Sequence, residues 1–103
     1  MAALLASSNI TTTNTDLAVY TVPTGKTASF SLSVANRTAG KVKLRIALSE
    51  SSSPSLGEYL EYDAEVLPNE ALKLLGLVLG EGGHVFVRSN ASGVSAVVWG
   101  FVE

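Results

Sequence analysis

The chain contains no cysteine, one histidine and one tryptophan. The missing cysteines exclude a disulfide framework and thiolate metal sites. A lone histidine, His84, leaves no imidazole set for zinc and one candidate base for a nucleophilic triad. It follows "GEGG" and reads as a surface residue at a turn. Charge is also scarce. Charged residues make up 16% of the chain, 7 basic against 9 acidic. That balance offers no counterion-releasing surface for nucleic acid. The longest apolar run, "LLGLVLG", falls well short of the ~18–20 residues of a membrane span. The start, "MAALLASS", lacks a basic n-region and makes a poor signal peptide. A protein made and used inside a cell, or assembled there before release, is expected.

What remains is a hydrophobic and hydroxyl-rich chain. Hydrophobic residues are 47% of its 103 positions, and the polar remainder is mostly Ser, Thr, Gly and Asn. The length suits one domain. A neutral surface of this kind solubilises a free monomer poorly and suits a subunit packed against others.

The periodicity is two. In "TASFSLSVAN", Ala28, Phe30, Leu32 and Val34 fall on one side, and Thr27, Ser29, Ser31 and Ser33 on the other. Side chains alternate in this way across a strand. Strands are predicted near 16–22, 26–36, 41–49, 58–66, 71–79, 84–89 and 94–102, preceded by an extended or strand-exchanging arm over residues 1–15. Within "NEALKLLGLVL" the leucines fill both faces, so a helix starting at Asn69 competes with a strand. Turn residues separate the segments: Pro23 and Gly25 in "VPTGK", Asn36 and Gly40 in "NRTAGK", Pro68 in "LPNE". Short strands with turns at this spacing predict an all-β antiparallel sandwich, jelly-roll or immunoglobulin-like, of about seven or eight strands over residues 16–103; a barrel remains open.

Two strands carry complementary charge. Lys41, Lys43 and Arg45 alternate along one, and Glu61, Asp63 and Glu65 along the other. Antiparallel pairing places Arg45 opposite Glu61, Lys43 opposite Asp63 and Lys41 opposite Glu65, with Ile46–Leu60, Leu44–Tyr62 and Val42–Ala64 inside. An offset of two residues preserves much of the match. These ion pairs set register. Glu58 with the same carboxylates makes a poor calcium site, because a straight strand cannot wrap an ion. The last strand, "VSAVVWGFVE", is apolar on both sides. Val94, Ala96 and Val98 share one, and Val97, Trp99 and Phe101 share the other. Val97, Trp99 and Phe101 are therefore candidate subunit-interface residues.

No catalytic, cofactor-binding or metal site assembles from these residues, and no enzyme is expected. The order of motifs resembles a known group. "VYTVPTGKTASFSLSVANR", "KVKLRIAL", "EYLEYDAEVLPNEALKLLGLVLGEGGHVFVRSN" and "VSAVVWGFVE" are similar to small β-sandwich structural proteins of tailed bacteriophages, common among those infecting cyanobacteria and other aquatic bacteria. Tyr20, Pro23, Gly25, Asn36, Arg37, Tyr62, Asp63, Pro68 and Gly100 are the matching positions, and the resemblance implies structural roles for them. The serine-rich "ESSSPSLG" at 50–57 departs from the pattern. The resemblance implies a virion part assembled in the host cytoplasm, foremost a head-decoration or cement subunit. It would bind copies of itself, as a trimer, and other virion proteins such as the major capsid protein. Nucleic acid, membrane and cofactor are not expected partners. A tail, neck or baseplate subunit is the alternative, as is a carbohydrate- or receptor-binding module, for which Tyr59 is the candidate contact.

Overall fold

The computed structural model describes residues 3–103. Eight strands form in chain order: β1 (Ala3–Ile10), β2 (Leu17–Thr21), β3 (Ala28–Asn36), β4 (Val42–Ser49), β5 (Tyr59–Val66), β6 (Ala71–Leu79), β7 (His84–Ser89) and β8 (Val94–Val102). One 3₁₀ turn, Leu56–Glu58, precedes β5. Two four-stranded antiparallel sheets result, ordered β1-β8-β3-β6 and β2-β7-β4-β5. Only the β4–β5 connection stays within a sheet; every other one crosses between them. This eight-strand exchange is the jelly-roll arrangement, which decides between the two sandwich topologies expected. Most of the expected arm is the edge strand β1, and its first two residues lie outside those described.

Alternation builds the core. Phe30, Leu32 and Val34 of β3 meet Val42, Leu44 and Ile46 of β4, Val85 and Val87 of β7, and Val94, Ala96 and Val98 of β8 between the sheets. The inner pairings β3–β8 and β4–β7 run without a register shift. All four outer pairings are bulged. A bulge adds a residue and resets the alternation after it.

Two bulges change the sequence reading. In β6, Phe30 and Leu32 of β3 pair with Leu77 and Leu74, so Leu75 and Gly76 are the extra step. Gly76 takes φ 71°. Leu72, Leu74 and Leu77 then pack against the core, while Leu75 and Val78 are exposed. The apparent two-sided leucine pattern is thus a bulged strand and not a helix. In β5, Leu44 pairs with Ala64 but Ile46 with Glu61, so Tyr62 and Asp63 share the step opposite Arg45. Asp63 sits at φ 55°, a conformation Asp tolerates better than most residues. The observed register begins Val42–Val66 and Lys43–Glu65, offset by two from the first expectation. Leu60 and Tyr62, expected inside, are exposed.

Three turns share one device. Lys26 N–H donates to Pro23 O, Glu70 N–H to Leu67 O, and Gly83 N–H to Gly80 O. The third residue of each, Gly25, Asn69 and Gly82, has positive φ. That position of a type II turn requires it, and Pro68 sits second, where its fixed φ fits. Asn36 ties two connections together. It is buried, and its Nδ2 donates to Gly40 O, Val66 O and Leu67 O at 2.8, 3.1 and 3.2 Å. Its Oδ1 accepts from Thr38 N and Oγ1.

Candidate assembly surface

The outer face of the β1-β8-β3-β6 sheet gathers apolar side chains from all its edges. Trp99 pairs with Leu4 on one flank and Ser31 on the other, and Val97 lies between Ser7 and Ser33. Phe101 pairs with Ser29, which pairs in turn with Val78. Leu4, Leu75, Val78 and Phe101 are 65, 71, 61 and 44% exposed, while Val97 and Trp99 are half-buried. The sequence singled out Val97, Trp99 and Phe101; Leu4, Leu75 and Val78 were missed, because strand order and a bulge bring them there. The serines of β3 line the same face, so the hydroxyls seen in the sequence lie beside this patch.

A depression of about 300 Å³ opens in the patch between Ser29, Ser31, Gly76, Val78, Trp99 and Phe101. Gly100 and Phe30 also line it. Its lining carries no charge. Gly100 has φ 154°, and a Cβ there would lie 2.2 Å from Ser29 O and 2.6 Å from Phe30 Cα. Only glycine lets β8 approach β3 this closely. Arg37 braces the far end of the face. Its Nε donates to Ser95 Oγ at 2.6 Å and its Nη2 to Asn9 Oδ1.

The opposite outer face carries most of the charged residues, beside the exposed Leu60 and Tyr62. Arg45 donates to both carboxylate oxygens of Asp63, at 2.7 and 3.3 Å, and stacks over Tyr62 with its Cζ 3.9 Å from the ring centre. Those hydrogen bonds, ahead of simple charge attraction, hold the Asp63 carboxyl below its ordinary range. Lys41 reaches Glu65 at 3.8 Å. Glu61 stands opposite Ile46 and joins no ion pair among the described residues. Tyr59 is half-buried, and its hydroxyl donates to Asp16. Burial first and that hydrogen bond second raise its pKa. The ring also meets Tyr62 edge-on, with centroids 5.1 Å apart. His84 Nδ1 shares a hydrogen bond of 2.7 Å with Thr21 Oγ1 at the head of β7. In the serine-rich loop, Glu58 accepts from Ser55 N–H and Oγ. The backbone bond leads in lowering the Glu58 pKa. No His, Cys, Asp or Glu cluster suited to a metal occurs among the described residues.

No protein-family model matches the chain, and no curated protein matches it. Among solved structures it is similar to two pentameric capsid proteins isolated from metagenomic phage sequences. One is 16% identical at TM-score 0.45, over 98% of this chain and 65% of that one. The other is 17% identical at TM-score 0.42, over 95% of this chain and 62% of that one. The chain spans just under two thirds of the length of either. At these values the likeness carries no argument about function, which rests on the chain's own surfaces.

Proposed function

We propose that this chain is a structural subunit of a bacteriophage virion that self-associates through the outer face of the β1-β8-β3-β6 sheet. The observation that carries the reading is the uncharged patch of Leu4, Leu75, Val78, Trp99 and Phe101 around its depression. Contiguous apolar surface of this kind marks a contact site. The bulged edges support the choice of a face over an edge, because bulges discourage strand addition.

The size of the face bears on the kind of assembly. Four strands spaced ~4.8 Å, each eight or nine residues at ~3.3 Å, cover roughly 500 Å². A stable pairwise contact buries about 800 Å² per partner. The first figure is the flat footprint; the accessible surface over its side chains is larger, so the face is of the size a pairwise contact uses. A head-decoration or cement subunit would add contacts to the capsid, and a trimer is the state the phage resemblance implies. Phe101→Lys places an ammonium in the apolar patch without touching the inter-sheet core. Sedimentation at micromolar concentrations is expected to show oligomers for the unaltered chain and monomers for the variant, with the same far-UV spectrum. A chain that stays monomeric, or a variant that still assembles, contradicts the proposal.

A further inference from the structure

A second depression, of about 210 Å³, lies on the opposite outer face over β4, β5 and β7. Asn14, Lys43, Arg45, Asp63, Arg88 and Asn90 line it. That is three cations against one carboxylate. Arg45 and Arg88 stand directly opposite each other on neighbouring strands, and like charges so placed repel. Asp63 neutralises Arg45. Arg88 reaches only Asp16, at 3.9 Å, and Asp16 also accepts from the Tyr59 hydroxyl. Lys43 joins no ion pair among the described residues, since Lys41 takes the nearby Glu65.

The neutral groups complete the arrangement. Asn90 Oδ1 accepts from Lys43 N–H at 2.9 Å, which leaves Nδ2 as the end able to donate to a ligand. Asn14 is anchored by its backbone N–H on Ser89 O. Asn14 and Asp63 are two of the three non-glycine residues with positive φ among those described, and both line this groove.

We propose that this groove binds an oxyanion, a carboxylate or a phosphate group, between Lys43 and Arg88, with Asn14 and Asn90 as neutral donors. Charge-assisted hydrogen bonds from arginine and lysine are the interactions such groups favour. The site stands independently of the virion role. The test is a titration of the isotopically labelled full chain with sodium phosphate and, separately, sodium acetate, at constant ionic strength set by sodium chloride. The Arg88 Nε–H and Asn90 Nδ2 signals are expected to shift to saturation. Saturation by phosphate alone assigns a phosphate-type ligand; saturation by acetate assigns a carboxylate, as an acidic side chain or chain terminus would present. Lys43→Ala and Arg88→Gln are each expected to weaken binding about tenfold, and Asp63→Asn to strengthen it. Lys43 is exposed and Arg88 half-buried, and an unchanged backbone spectrum shows that each variant folds. Shifts that do not saturate, or that a separate sodium chloride titration reproduces, overturn the proposal, as does saturation that survives both cation substitutions.

Discussion

Gly100→Ala is expected to abolish the native fold or to cost about 4 kcal/mol or more, among the largest effects of a single methyl group. The added carbon would sit 2.2 Å from Ser29 O and 2.6 Å from Phe30 Cα. Both are main-chain atoms of β3, so no side-chain rotation relieves the overlap. The β3–β8 pairing, unbroken over its length, would have to part at Phe30–Gly100, the third pair from its end. The φ of 154° adds strain for any side chain. A domain of this size has about 5–15 kcal/mol in total. Urea denaturation checks the result. Gly57→Ala is the control, because nothing lies within 4 Å of its added Cβ, and it is expected to change stability by less than about 0.5 kcal/mol. Equal stability of the two variants would contradict the tight β3–β8 contact.

Asn36→Asp is expected to destabilise the fold by about 3 kcal/mol or more at neutral pH. The two side chains have nearly the same shape. The amide nitrogen, however, donates to three carbonyls that close the β3–β4 and β5–β6 connections. A carboxylate oxygen in its place would face those carbonyls with no proton to give. Burial and the carbonyl dipoles raise the pKa of the introduced carboxyl above its unfolded value of about 3.9. Its neutral form can donate one hydrogen bond. The penalty is therefore largest at high pH and shrinks as pH falls through the raised folded value toward the unfolded one. Stability measured between pH 4 and 8 should show the gap to the unaltered protein narrowing on acidification. A gap that stays constant would mean the Asn36 amide is not directed at those carbonyls.

Seven of the eight strands were legible because their alternation is regular or their turns are explicit. Pro23, Gly25 and Pro68 marked turns that form as hydrogen-bonded type II turns. For β1 the sequence predicts only an arm, since Ile10 is its only fully buried residue and an edge strand needs little apolar pattern. Bulges account for the other differences. Asp63 and the Leu75–Gly76 step each reverse which side chains face inward, and alternation counted along a sequence cannot show where a residue is extra. That is why Tyr62 was placed inside and Leu75 was not placed on the surface. The apolar outer face was partly legible, because β8 is apolar on both sides and only one side can meet the core. The polar groove was not, because Arg45 and Arg88 meet only through the β4–β7 pairing.

The central claim is that the outer face of the β1-β8-β3-β6 sheet is covered by a neighbouring copy in an assembled particle. A density map of an intact phage particle carrying this chain tests it most directly. Several copies are expected about a symmetry axis, with Trp99 and Phe101 buried against a neighbouring copy. A map in which this face lies open to solvent or against the shell alone would contradict it.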